Sequence, residues 1–395
     1  MHREDPATGV VTNAREPVLS LILCSRNDQY MGNSRWRLET ALNYVARNVH
    51  ELGREEDVEV LVADWGSEIP LREVVQLSPA AARIVSFLLI PPEIARTLQR
   101  DSQFPEVLAL NAAARRVRGQ YIGRIDQDTL VGRQFLKTFF ELYQGGKRLD
   151  VPLDAALLFA NRRGIPYRLT VRCPSFWIVD WFVHRFGRVL VIETPRSPVP
   201  FYNGPVGIWL VHRNLWNECG GYDERMIYMN AMEVDMAFRL MEKYQMVDLG
   251  KLVNFDFYHL EHYHPLAVRK SSTYRKGNVE FWKQSNDFHR NAKDWGLVQY
   301  PLEALPHCGS MTIETIGQQR FAFPGFLLLM CLVGSELAWD SLVLSSRSTY
   351  ALWARRARIA WRSVLGLPLV RWPSTLRKLW AGRTIRLSSR QRNTR

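Results

Sequence analysis

The residues best placed to do chemistry are acids that follow apolar, strand-length runs. Asp126-Gln127-Asp128 comes directly after Tyr121–Ile125. In extended backbone, residues i and i+2 point to the same side. The two carboxylates could therefore hold one hard divalent cation, with a diphosphate supplying other oxygens. Such an ion would offset the charge growing on a departing diphosphate. Aspartates are also common in solvated turns, so the pattern gains weight only from its place after a fourth strand. Asp64 ends an earlier apolar run, in Ala63-Asp64-Trp65-Gly66-Ser67. There a carboxylate could accept hydrogen bonds from a base or ribose, or simply begin a turn around Gly66.

Three further groups lie downstream. Gly220-Gly221-Tyr222 could bring backbone close to a ligand or merely turn the chain. In Met232-Glu233-Val234-Asp235-Met236-Ala237-Phe238-Arg239-Leu240, Asp235 and Arg239 stand at i,i+4 and can pair along a helix face. Asp235 also suits a helix N-cap. His259, His262 and His264 cluster after the run Phe255–Tyr258. Two carboxylates and one imidazole suit Mn²⁺ or Mg²⁺, whereas a zinc site would need all three imidazoles to converge with an open position. His262 and His264 are the candidates to face the site, and the sequence does not separate them from packing histidines.

The elements that would position these groups alternate in type. Val18–Cys24, Val58–Ala63 and Ile84–Ile90 are continuous apolar runs, the pattern of strands buried on both faces. Ser34–Leu52, Pro105–Val117 and Gly132–Tyr143 have helical length and spacing, with Gly119 ending the second. This order predicts an α/β fold with a Rossmann-like, mostly parallel sheet flanked by helices, and ligands beyond the strands' carboxyl ends. Val206–Val211 and Lys251–Tyr258 read as further strands, and Met232–Tyr244 as a helix. Beyond about residue 270 the content turns helical.

Composition excludes several classes. Apolar residues at 47% and charged residues at 23% rule out a disordered chain, a collagen-like chain and a small disulfide scaffold. Five scattered cysteines without a CxxC pair argue against structural zinc and disulfides and point to a reducing compartment. The first 17 residues are polar and mixed in charge, unlike a signal peptide. The run Phe321–Ser335 falls short of the roughly 20 residues of a spanning helix. The net charge of +13 resides at one end: after Asp340 there are thirteen Lys/Arg and no acid. Trp353, Ala357, Trp361 and Val364 fall at helical spacing opposite Arg355, Arg358 and Arg362. Tryptophan and arginine in that pattern suit an anionic bilayer surface. A nucleic-acid partner is the weaker reading, because residues 1–340 are neutral and show no recognisable nucleic-acid module.

Leu19–Asp28, Val58–Ser67, Asn111–Asp128 and Gly220–Leu240 occur in an order and spacing that resembles the successive motifs of family 2 glycosyltransferases with the GT-A fold. The resemblance spans about residues 17–265. It implies that Cys24, Ser25, Arg26 and Asn27 line a nucleotide pocket and that Asp64 binds uracil or ribose. It implies further that Asn111 and Arg115 border the donor sugar, and that Asp126 and Asp128 hold the metal and diphosphate. A downstream histidine, His262 or His264, would complete the metal shell, while Gly220, Gly221 and Tyr222 would lie on the acceptor side. The family's base is an acid just before a helix. Counting back from Arg239 places it at Glu233, although Glu replaces the usual Asp and Met232 the preceding Glu, so Asp235 stays as the alternative.

The expectation is a metal-assisted inverting transferase with a GT-A domain over 17–270, a helical extension over 271–340 and a basic amphipathic tail over 341–395. It would use a nucleotide-sugar donor, UDP favoured, and a glycan or lipid-linked acceptor at the cytoplasmic membrane face. A nucleotidyltransferase is the enzymatic alternative, but Cys24–Tyr30 lacks a glycine-rich basic loop. An inactive membrane-bound GT-A scaffold is the other.

Overall fold

Alternate residues of the apolar runs face opposite layers, and that parity sets the architecture. The strands are β1 Leu19–Ser25, β2 Val58–Trp65, β3 Val85–Ile90, β4 Tyr121–Arg124, β5 Thr129–Val131 and β6 Ala156–Asn161. They continue with β7 Arg163–Ile165, β8 Val206–His212, β9 Gln245–Asp248, β10 Phe257–Leu260 and β11 Ala304–Pro306. Leu19, Leu21 and Leu23 of β1 and Val58, Val60 and Val62 of β2 pack against helices Ser34–Glu51 and Arg133–Tyr143. Ile22, Leu61, Ala63 and Trp65 point the other way, onto helices Glu106–Ala114 and Met232–Leu240. A strand buried on both faces has no polar side to offer water, hence the unbroken apolar sequence.

The structure, a computed structural model, describes residues 16–190, 192, 206–228, 231–262, 289–317, 331, 333 and 334. All lie in one compact unit. The main sheet runs β11-β3-β2-β1-β4-β8-β6-β9, and β5-β10-β7 form a smaller one. β3, β2, β1 and β4 are parallel. Because β2 and β4 flank β1 on opposite sides, the strand order reverses at β1. A crevice therefore opens beyond the carboxyl ends of β1 and β4.

The sheet is mostly parallel as expected, with β8 antiparallel to both β4 and β6 and β9 again parallel to β6. Several other expectations need correction. Residues 251–255 form turns, and the expected strand begins only at Phe257. Residues 289–317, expected to be helical, are turns and β11, which pairs antiparallel with β3. Trp295 and Leu297 enter the core beside Glu106–Ala114, so packing against the sheet overrides local helical preference there. The apolar run Phe176–Ile192 yields a helix, Phe176–Phe186, with Phe176, Val179, Phe182 and Val183 on its buried face. The run Phe321–Ser335 and the basic tail lie almost wholly outside the described residues. Among the described residues no helix is long and apolar enough to cross a membrane.

One buried acid on the first helix supports this frame at a pH-dependent cost. Glu39 is 5% exposed and accepts a hydrogen bond from the Gln76 amide at 3.1 Å. Burial pushes its carboxyl from 4.5 to about 7, against the pull of that amide and of Arg35. A raised carboxyl favours the folded state while protonated, so stability falls as pH rises from 4.5 through about 7. Glu39→Gln should therefore gain about 1–3 kcal/mol over the parent at pH 8 and little at pH 4.5. Urea unfolding at the two pH values checks this, and an equal effect at both would refute it.

Candidate active site

At the head of the crevice, the loop after β1 is bound to its neighbours rather than open. Ser25 Oγ donates to Gln127 Oε1 at 2.5 Å, tying the end of β1 to the turn after β4. The Asn27 amide donates to Ser67 Oγ at 2.8 Å, and Asn27 Nδ2 to the Ile69 carbonyl at 3.0 Å. Arg26 pairs with Asp28 at 2.7 Å and lies over the Phe104 ring. Cys24 is held as a thiol, its pKa raised by burial and then by the nearby Glu106. Asp64 is the penultimate residue of β2, level with Ser25 in the β1 ladder, but is only 2% exposed. Its carboxylate accepts from Ser67 Oγ and, at 2.7 Å, from the Leu71 amide. Burial raises its pKa to about 6 against those two bonds. As it stands, Asp64 braces the 64–71 turn and turns no free carboxylate toward a base.

Asp126 and Asp128 do not share a side. β4 ends at Arg124 and residues 127–128 turn, with the Thr129 amide donating to the Asp126 carbonyl at 3.1 Å. The rule of alternating side chains fails where the strand stops. Asp126 pairs with Arg124 Nη2 at 2.7 Å and with Arg162 Nη1 at 2.5 Å. Asp128 points into the protein, its side chain 5% exposed, and pairs with Arg37 Nη1 at 2.6 Å. Its Oδ1 lies 3.5 Å from His259 Nε2 and its Oδ2 3.3 Å from His262 Nε2.

Cross-strand register brings these groups together. His259 stands opposite Thr129 in the β5–β10 ladder, and the Leu260 amide donates to the Asp128 carbonyl at 3.0 Å. One ligand atom from each of Asp128, His259 and His262 lies within 4.8 Å of the others. Glu261 Oε1 is 3.1 Å from His259 Nδ1 and orients a ring whose Nε2 faces Asp128, the arrangement that supports a metal-binding histidine. Burial and Arg162 oppose charge on His259, but Glu261 and Asp128 outweigh them and hold its pKa well above the ordinary value. Burial likewise opposes ionisation of Asp128, yet His259 and His262 keep its carboxyl well below the usual range. One carboxylate and two imidazoles suit a divalent cation, a transition metal such as Mn²⁺ better than Mg²⁺ because two donors are nitrogen. Asp126 is not part of this group, and His264 lies outside the described residues.

On the opposite wall, Glu233 sits in the first turn of the helix Met232–Leu240. Its Oε1 lies 3.2 Å from Arg124 Nη1, and its side chain is 13% exposed. Arg124 is 6% exposed and also pairs through Nη2 with Glu106, the first residue of its helix. Glu233 and Asp126 thus meet on one guanidinium. Asp235 has a different duty. It lies one turn inside the helix rather than at its cap, its amide bonded to the Ala231 carbonyl. Its carboxylate takes Arg239 at 2.8 Å, as the i,i+4 spacing predicts, and Arg239 also donates to the carbonyls of Cys219 and Gly221.

The glycine loop is a joint. Gly221 has φ of +73°, and a Cβ there would come 2.5 Å from Asn111 Oδ1. Asn111 brackets Tyr222, accepting from its amide and donating to its carbonyl, both at 2.8 Å. Gly220 closes the preceding helix, and Tyr222 is fully buried. Arg115 stacks on Trp295 at 4.8 Å and donates to the Lys293 carbonyl. Gly220, Gly221, Asn111 and Arg115 therefore fasten helix 106–114 to the following loops, while the buried Tyr222 also lies near enough to Glu233, Arg124 and Glu106 to feel their charge.

Reasoning on sequence missed Arg37, Glu106, Arg124 and Arg162. Arg124 carried a usable signal: it stands two residues before Asp126, at the last position of the fourth strand. No family model and no curated protein matches the sequence. Similar solved structures include the 1–349 fragment of S. aureus TarS (13% identity, TM-score 0.39), over 61% of this chain and 60% of that fragment. The catalytic domain of Drosophila β1,4-galactosyltransferase 7 with xylobiose is similar at 13% identity and TM-score 0.38, over 74% and 95% of the two chains. A mutant of that enzyme in complex with manganese, UDP-Gal and xylobiose gives 13% and 0.37 over the same shares. The chain thus spans less than two thirds of the length of the TarS fragment.

The three-residue cluster makes a direct prediction. Titration calorimetry with Mn²⁺ should show one site, weakened at least about tenfold in His262→Ala and about 10–100-fold in Glu261→Gln, which leaves the ligands in place. Equal binding by the parent and His262→Ala would remove the assignment.

Proposed function

We propose that the protein is a GT-A-type glycosyltransferase that moves a sugar from a nucleotide-diphosphate donor, UDP the favoured carrier, to a hydroxyl with inversion. The observation that carries this is the convergence, at the carboxyl end of β4, of a cation-binding group and a carboxylate base on opposite walls. Asp128, His259 and His262 form the first, and Glu233, joined to Asp126 through Arg124, is the second.

In the reaction, Glu233 accepts the proton of the acceptor hydroxyl as its oxygen bonds to the anomeric carbon. The bond from that carbon to the donor phosphate breaks with its electron pair leaving on the diphosphate. Asp128, His259 and His262 would hold a divalent ion, which would supply positive charge for that leaving group. Arg162 and Arg124 add fixed positive charge beside Asp126 without reorganisation during the reaction. Asp128, Arg37 and the two histidines are buried, so their mutual attraction is stronger than it would be in water.

The acceptor class we propose is a lipid-linked or growing glycan at an anionic, cytoplasmic membrane surface. What supports this is the sequence of 341–395, thirteen basic residues interleaved with tryptophan and leucine and lacking any acid. The notion of a catalytic base at Asp235 loses support, because Arg239 occupies its carboxylate.

Two experiments decide between outcomes. A screen of UDP-, GDP- and dTDP-sugars with Mn²⁺ or Mg²⁺ should show metal-dependent turnover that Asp128→Ala abolishes and Glu233→Gln lowers about 10²–10⁴-fold. Equal activity in parent and Asp128→Ala would discard the metal assignment. Deleting 341–395 should release the protein from phosphatidylglycerol vesicles, each basic residue near the surface contributing about 1 kcal/mol. Undiminished co-sedimentation would end the membrane reading.

A further inference from the structure

Glu106 has no part in the reaction above, yet it shares the guanidinium that touches the base. We infer that Glu106 and the buried Arg124 form a positioning pair that fixes the carboxylate of Glu233, an inference that rests on the assignment of Glu233 as base. Arg124 Nη2 lies between Glu106 Oε1 and Asp126 Oδ1, and Nη1 reaches Glu233 Oε1 at 3.2 Å. A guanidinium is planar and rigid. Holding its Nη2 edge between two carboxylates therefore settles where Nη1 points. Nη1 occupies Oε1 of Glu233, and Oε2 has no ion-pair partner among the described residues, so one oxygen is directed and the other is available to an acceptor hydroxyl.

Charge balance alone does not explain Glu106. Asp126 and Glu233 already exceed the charge of one guanidinium, and a third carboxylate on a buried guanidinium costs stability. Burial, with Asp126 and Glu233 nearby, pushes Glu106 to about 7 against the pull of Arg124. The placement of its helix gives the cost a purpose. Helix 106–114 is bracketed through Asn111 to Tyr222, and helix 232–240 is tied through Arg239 to Cys219 and Gly221. The pair thus spans two helices that share one loop, and it transmits their fixed spacing to the base. Glu106 and Arg124 act through Glu233 and are positioning residues.

The test uses Glu106→Ala, Glu106→Gln, Arg124→Lys and Arg124→Met with the sugar nucleotide that the parent turns over. Misplacing a reacting group by about 1 Å can cost 10²-fold. Glu106→Ala should therefore lower kcat about 10–100-fold with donor KM within about threefold, Glu106→Gln less, and Arg124→Lys should retain part of the rate that Arg124→Met loses. An unchanged kcat, or a loss confined to KM, overturns the inference. The crystal structure of Glu106→Ala gives a readout independent of activity. The Glu233 carboxylate should leave Arg124 Nη1, and an unmoved carboxylate refutes the pair even if the parent transfers no sugar. Absence of turnover in the parent would instead count against the assigned reaction, and those coordinates would still decide the pair.

Discussion

A carboxylate that is almost entirely removed from water must be paired or give up its charge, and Asp128 is where this protein meets that constraint. Arg37 reaches it from the first helix, His259 from β10 and His262 from the segment that follows. Three separated pieces of chain are thereby committed to one point. Arg37 also donates to the carbonyls of Tyr30 and Gly32, so the loop after β1 is drawn into the same arrangement. The ion pair does more than neutralise: it sets the distance between the main sheet, the first helix and the small sheet.

A second ionic centre, around Arg124, faces the first across the turn 125–128. The two differ in composition. Around Asp128 one acid is surrounded by basic groups, and around Arg124 one base is surrounded by acids. Between them lies the short turn that carries Asp126. Charges of opposite arrangement on two walls create a field with direction, and a polarised substrate would enter it in one orientation. The remaining polar residues near the crevice, Asn111, Asp64 and Arg239, bond backbone and side chains within the protein and keep the walls from moving.

The parallel half of the sheet was legible because burial on both faces leaves an unmistakable apolar run, as in Leu19–Leu23 and Val60–Ala63. Asp128 and Glu233 were legible as acids at element boundaries. The sense of β8 was not, since an apolar run carries no direction. The divergence of Asp126 from Asp128 was hidden for a local reason: alternation describes strands, and the strand stops at Arg124. Arg37 and Glu106 gave no signal at all. Each lies in a helix whose spacing explains it as an ordinary surface charge, and only the fold reveals that the surface is internal. His259 was left among three candidates because its facing depends on the pairing of β10 with β5, a contact between residues 130 positions apart.

The late segment 289–306 has a practical meaning for where this chain can be cut. β11 covers the outer edge of β3, and Arg116 clasps the carbonyls of Gly296, Leu297, Tyr300 and Leu302. A fragment ending near residue 270, where the sequence suggested a boundary, would leave the backbone groups of β3 unpaired and uncover the apolar surface beneath Trp295. Exposed strand edges invite association between copies. The smallest well-behaved fragment of the folded unit therefore extends past Pro306.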